Sequence, residues 1–228
     1  SKMSKRDRGA GLEWYQERGY LPGAVRNYLA LLGWSPKDDR EKLSIDEITE
    51  LFDFEHLNRS NAKFDLEKCT WLNGQYITAL EPAEFLQLAR PFAGDAPDAA
   101  VSLTQPRVQT LAEIPEWLAP MLDPDHPLDA EAAAKVAAKE ESARHLDALC
   151  QSFADIDPWQ SEGIKATVAS TAKVLGVKMG ALMFPLRVTV TGTAQGADLM
   201  PALEVIGRDD TIERIKRRTA LIAGSPKV

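Results

Sequence analysis

The 228-residue chain has only two cysteines, Cys69 and Cys150, and neither belongs to a Cys-x-x-Cys pair. That scarcity excludes a disulfide framework and a thiolate metal site, and leaves two reduced, partly buried thiols as the expectation. Histidine is as sparse. His56, His126 and His145 stand at no metal-ligand spacing with the cysteines, so no metal is expected. Apolar runs of membrane-spanning length are missing, and the stretch Tyr28 to Leu32 is far too short. The first residues, Ser1-Lys2-Met3-Ser4-Lys5-Arg6-Asp7-Arg8, are charged and lack an apolar signal segment. A cytoplasmic protein without membrane contact is the expectation. No repeat of fixed period occurs, and no glycine-rich phosphate loop follows a strand.

Positive charge is in deficit. Lys and Arg number 27 against 34 Asp and Glu, a net charge of −7. Taken whole, that balance argues against nucleic-acid binding and favours a helical scaffold or protein-interaction module. The charge is unevenly spread, however. Lys2, Lys5, Arg6 and Arg8 cluster at the start, Lys173, Lys178 and Arg187 recur late, and Arg214, Lys216, Arg217 and Arg218 lie near the end. An acidic total with local basic patches suits a protein that binds one folded RNA and avoids the rest.

What is present is mostly helical patterning. Pro22 sits where a first-turn proline belongs, Val25, Tyr28, Leu29 and Leu32 follow at helical spacing, and Gly33 ends the run. Ser44-Ile45-Asp46-Glu47 is a capping box that opens a helix bearing Leu51 and Phe52. Asp65 caps a helix with Leu66, Cys69, Leu72, Tyr76 and Ile77 on one face. Pro82 opens a helix that Pro91 stops. Loop composition at Gly94 to Asp98 and at Asp123 to Pro127 divides the chain into modules near 1–80, 81–122 and 123–228. Pro106, Pro115 and Pro120 permit only short helices between those breaks.

The pattern then predicts the longest helix, capped by Asp129, running past Val136, Ala143, Leu146, Leu149 and Phe153, and closed by Asp157-Pro158. Further helices fit 161–175, 178–186, 198–206 and 209–222, with Gly176 and Gly207 as stops. The β-branched run Arg187 to Thr191 reads as a frayed helix end or a short extended link. An all-α architecture follows, with a chain of this size burying roughly 70% of its unfolded surface. Trp14, Tyr15, Trp34 and Trp71, at helical spacing, read as core in preference to stacking platforms.

Two sets of residues carry chemistry. A basic loop such as Lys2-Met3-Ser4-Lys5-Arg6 supplies ammonium groups and a hydroxyl able to neutralise triphosphate charge in a nucleotidyl-transfer transition state, although basic tails are usually only solvated. Arg107 follows Pro106 at an expected helix start. Its fork, held in one direction, matches a base edge or a phosphate, or a surface ion pair.

Lys2 to Arg6 resembles the KMSK signature loop of class I aminoacyl-tRNA synthetases, and the residues after it resemble the bacterial glutamate–tRNA ligase family. The resemblance rests on Gly11-Leu12-Glu13-Trp14-Tyr15, on Gly19-Tyr20-Leu21-Pro22 and on Asn27 to Ser35. It continues through Phe64 to Lys68, Trp71 to Ile77, Gln105-Pro106-Arg107 with Thr110-Leu111, and Met183 to Arg187 with Thr191-Gly192 and Leu199. These pieces run in order across nearly the whole chain.

The resemblance implies that Lys5 contacts ATP phosphates, with Lys2 and Ser4 supporting the loop. It implies a helical stem-contact domain over 1–80 and a two-part anticodon-binding region over 81–122 and 123–228. Arg107 would read the third anticodon base and favour glutamate tRNA over glutamine tRNA, while Arg187 and Leu199 would lie near the first two bases, where an arginine beside an apolar residue suits splayed bases held by stacking and edge contacts, although Leu199 alone fits a core role equally well. Ala197 stands where the commoner family pattern carries proline. ATP and Mg²⁺ would serve the full-length enzyme and none would bind this chain tightly. A class I synthetase also needs a nucleotide-binding fold with a His-x-Gly-His loop, which this sequence does not contain. The chain is therefore expected to be a monomeric tRNA-binding portion, inactive without an N-terminal catalytic domain.

Overall fold

The computed structural model describes residues 11–36, 38–58 and 63–224. Among these, every regular element is helical, apart from one isolated bridge between Trp34 and Leu57. The expected all-α class holds. The chain forms two compact units, one ending at Pro115 and the other beginning at Glu116.

The first unit contains α1 (Leu12–Glu17), α2 (Pro22–Gly33), α3 (Ile45–Leu51), α4 (Leu66–Thr78), α5 (Pro82–Ala93), α6 (Asp98–Ser102) and a 3₁₀ turn (Leu111–Glu113). α2 begins at Pro22 because proline's fixed φ suits the first turn and its missing N–H would be unpaired there anyway. The Ser44–Glu47 capping box opens α3, and the Asp65 carboxylate accepts the Lys68 N–H to open α4. Tyr15, Tyr20, Val25, Tyr28, Cys69 and Leu72 form one core where α2 packs on α4. Trp34, Leu43 and Ile48 form a smaller one. Each fully buried large side chain contributes about 1.5–3 kcal/mol.

Helix α7 (Ile114–Leu122) leads into the second unit, which holds α8 (Ala130–Ala137), α9 (Ser142–Ala154), α10 (Ser161–Leu175), α11 (Gly180–Thr191), α12 (Leu199–Ile206) and α13 (Arg208–Gly224). Its main core joins Leu146, Leu149, Phe153, Ile164, Val168, Leu182, Leu186 and Leu203. A separate cluster gathers Ala132, Val136, Val188 and Ile222.

Several sequence expectations need correction. The single helix expected from Asp129 to Phe153 is two, α8 and α9, because Ala132 and Val136 serve the smaller cluster while Leu146 to Phe153 serve the main one. The chain turns between them, where the Ser142 N–H bonds Lys139 O at 2.9 Å. Ala143 is exposed, and Ser142 and His145 are buried in its place. The longest helix is α13, not this segment.

Residues 187–191 are neither frayed nor extended: α11 continues through Thr191. Val188 to Thr191 are all buried, and the Thr189 and Thr191 hydroxyls bond back to the carbonyls of Pro185 and Arg187 at 2.8 and 2.9 Å. Burial overrides their β propensity. Pro91 does not stop α5, which runs on to Ala93. Gly94, at φ 56, ends it, and the Arg90 guanidinium bonds the carbonyls of Gly94 and Ala96 beyond. Of the four aromatics expected in the core, Tyr15 and Trp34 are buried, Trp14 is half-buried and Trp71 is exposed.

Candidate nucleic-acid interface

Arg107 lies on a turn, not at a helix start. Its own N–H bonds Thr104 O at 2.9 Å, and the N–H of buried Val108 reaches the same oxygen at 3.1 Å. Both flanks of the turn are anchored. On one side Gln105 Nε2 donates to Ile77 O and Leu80 O, at 3.1 and 2.9 Å, tying the turn to the end of α4. On the other, Thr110 and Glu113 form a reciprocal capping box, and buried Asn73 donates to Gln109 O at 2.6 Å while accepting the Leu21 N–H at 2.7 Å.

Close backbone approaches complete the mount. A side chain on Gly74 would meet Gln109, and one on Gly19, at φ +69, would meet the Leu111 Cβ at 2.4 Å. Gly19 O also accepts the Leu111 N–H. Arg107 itself is exposed, and its side chain makes no hydrogen bond or ion pair among the described residues. A cationic fork on a firmly held turn is thus presented outward.

The second unit holds Arg187 differently. Its side chain is half-buried on α11, and Nη1 donates to Ala197 O at 3.0 Å. It faces a cavity of about 280 Å³ whose wall includes Trp117, Met121, His126, Thr191 and Gly196. An indole, a thioether, hydroxyls and a guanidinium around so small a space suit one flat heteroaromatic group, stacked on its face and bonded at its edge. Trp117 went unnoticed in the sequence. Its only signal was a tryptophan in a short helix between Pro115 and Pro120.

Leu199 is not part of this surface. Its side chain is 1% exposed and belongs to the main core, so the expected base contact by that side chain is corrected to a packing role at the start of α12. The basic cluster near the chain end is corrected too. Arg214 is buried against the carbonyls of Pro120 and Val190. Arg218, also buried, donates to Thr189 O, Val190 O, Pro124 O and His126 O. Burial lowers the pKa of both guanidinium groups. Arg217 pairs with Asp125 at 2.8 Å, so of the four only Lys216 is exposed.

Among the described residues no group of three or more His, Cys, Asp or Glu could hold a metal ion. No helix among them is long and apolar enough to cross a membrane. Cys69 and Cys150 are buried and unbridged. Lys2, Ser4 and Lys5 lie outside the described residues.

Residues 84–219 match the family model described as the anticodon binding domain, and residues 1–71 match that of the class I tRNA synthetases (E and Q), catalytic domain. The glutamate–tRNA ligase of Akkermansia muciniphila is 45% identical over 223 residues, covering 95% of this chain and 51% of the relative. That of Thermus thermophilus is 33% identical, covering 96% and 48%. The chain thus spans about half the length of the curated relatives it matches. A solved glutamate tRNA ligase from Elizabethkingia meningosepticum, crystallised with its amino acid, superimposes with a TM-score of 0.81 at 29% identity, covering 91% of this chain and 43% of that one.

Proposed function

Because this chain belongs to the glutamate–tRNA ligase family, we propose that it is the tRNA-reading portion of a ligase that attaches glutamate to its tRNA with ATP. The observation that carries the reading is Arg107, an outward guanidinium on a turn anchored from both flanks. Two parallel N–H donors on a planar fork match a base edge, and a rigid mount keeps their direction fixed before the RNA arrives. Arg107 is read as the contact to the third anticodon base, favouring glutamate tRNA over glutamine tRNA. Arg187 and its cavity are read as the contact to one of the first two bases, with Trp117 offering a face for stacking.

The stem-contact role is assigned to residues 1–80, and the anticodon role to 81–122 and 123–228. Lys2, Ser4 and Lys5 are assigned to ATP phosphates in the longer enzyme, where ATP and Mg²⁺ supply the chemistry of glutamate activation. No described residue of this chain is given a part in that step. The working compartment is the cytoplasm. The scaffold alternative rested on the net charge of −7, and family membership does not favour it.

The test is a binding titration of the 228-residue chain with glutamate tRNA and glutamine tRNA at several salt concentrations. Tighter binding of glutamate tRNA is expected, with Arg107→Ala weakening it by about 1–3 kcal/mol and narrowing the difference. Equal affinity for both tRNAs, unchanged by Arg107→Ala, would remove the claim of discrimination.

A further inference from the structure

Arg187 reaches its place because of the loop that follows its helix. Three observations define that loop. First, Ala197 O accepts Arg187 Nη1 at 3.0 Å, and Ala197 is itself buried, so the carbonyl has little freedom to swing away. Second, the loop is tied from within: Thr193 Oγ1 donates to Gln195 O at 2.7 Å and lies 3.0 Å from Thr191 Oγ1. Gly192, at φ +80, packs its Cα so near Pro127 that an added Cβ would stand 2.7 Å from Pro127 O, and Gly192 O accepts the Asp129 N–H at 2.8 Å. Third, a Cβ on Gly196 would stand 2.9 Å from Arg187 Nη1.

The third observation decides the chemistry. A contact of that length forces something to move, and the atom in the way is the far end of a flexible side chain, not backbone. An alanine at 196 would therefore push the guanidinium away from the Ala197 carbonyl and leave the backbone where it is. The cost would fall on the direction of the fork and not on folding, because Arg side chains have many rotamers and the loop is held by other bonds.

We infer that Gly196 is a positioning residue for RNA recognition: its missing side chain, together with the Ala197 carbonyl, sets the guanidinium of Arg187 at the cavity mouth in the orientation that meets a base. This rests on the reading of Arg187 as a base contact. The chemistry recognised is the hydrogen-bonding edge of a single unstacked nucleobase in glutamate tRNA.

The experiment is a double-mutant cycle. Affinity for glutamate tRNA is measured for the unchanged chain, Arg187→Ala, Gly196→Ala and the two together, with thermal midpoints for each. Gly196→Ala is expected to weaken binding by at least about fivefold, the lower edge of what one base contact supplies, with the midpoint held. In the Arg187→Ala background the same change should matter by less than about twofold, because its effect acts through that guanidinium.

An equal loss in both backgrounds would mark Gly196 as a general structural residue and overturn the inference, as would unchanged binding by Gly196→Ala where Arg187→Ala is weak. Silence of Arg187→Ala itself would overturn the base-contact reading, and the inference with it. Should Gly196→Ala lower the midpoint, Thr193→Val, which releases the Gln195 carbonyl, is carried through the same cycle with the same outcomes.

Discussion

The carboxamide nitrogen of Asn73 on α4 lies 2.6 Å from the carbonyl oxygen of Gln109, just beyond Arg107. Its oxygen meanwhile accepts the Leu21 N–H at 2.7 Å. One fully buried side chain thus satisfies two backbone groups from remote parts of the first unit. The Leu21 N–H is buried and the Gln109 end of the pair is part-buried, and an unpaired buried polar group costs about 1–3 kcal/mol. Asn73→Ala should therefore destabilise the chain by roughly 1–3 kcal/mol, read as a lower urea midpoint, and Asn73→Asp should cost at least as much at neutral pH, because a buried carboxylate would face the Gln109 carbonyl oxygen with no donor between them.

Arg107→Lys separates charge from shape. Lysine keeps the positive charge but loses the planar fork, so it acts as a point charge with no bidentate match. Stability should be unchanged, because Arg107 touches nothing charged among the described residues. Affinity for glutamate tRNA should fall by about 1–3 kcal/mol while the slope of log affinity against log salt stays nearly constant. Retained affinity and tRNA preference with an unchanged slope would mean that charge alone suffices and the arginine meets phosphate.

Arg218→Met tests the buried guanidinium of α13. Arg218 donates to carbonyls of both α11 and the Pro124–His126 segment. Methionine fills much of the space and strands those oxygens, so a loss of at least about 3 kcal/mol is expected, since bonds from charged groups run near 1.5–3 kcal/mol each. Lys216→Ala, on an exposed neighbour, should leave stability within about 0.5 kcal/mol and at most reduce the salt dependence of tRNA binding. The contrast is readable in parallel urea melts.

Alkaline pH should weaken the first unit. Burial, with smaller contributions from Cys69, Tyr20 and Tyr28, pushes the Tyr15 hydroxyl up to about 12, and burial pushes the Cys69 thiol up to about 11. In the unfolded chain these groups ionise near roughly 10 and 8.5. Between those limits the unfolded state has released protons that the folded state still holds, so stability falls as pH rises. It should be level below about pH 8 and decline through roughly 9–12. Tyr15→Phe should remove part of the decline, on the order of 1 kcal/mol by pH 10.5, in urea midpoints compared at pH 8 and pH 10.5.

Local chemistry made the helix starts legible. Pro22, Ser44, Asp65, Pro82 and Asp129 each act through their own nearest backbone groups, and each opens a helix where one was expected, although the helix behind Asp129 is shorter than its pattern suggested. What escaped depends on remote partners. The run from Val188 to Thr191 has strand-like side chains, and only packing inside the second unit keeps it helical. The guanidinium groups of Arg214 and Arg218 look like surface charge until the carbonyls of Thr189 and Val190 are brought beside them. Leu199 carried two meanings in the sequence, and burial decided for the core. The candidate site rests on a motif at Arg107 and Arg187, whereas the placement of Trp117 and Gly196 beside Arg187 arises only from folding.

Gly19 and Arg107 divide labour in a way that bears on how such a protein can change. The space left by the absent side chain at Gly19 lets the backbone at Leu111 close down and hold the turn firm, while the side chain of Arg107 takes no part in that hold. If Arg107 reads a base as proposed, a single codon change at position 107 would rewrite what is recognised and leave the scaffold intact, whereas any change at position 19 disturbs the scaffold and teaches the molecule no new ligand.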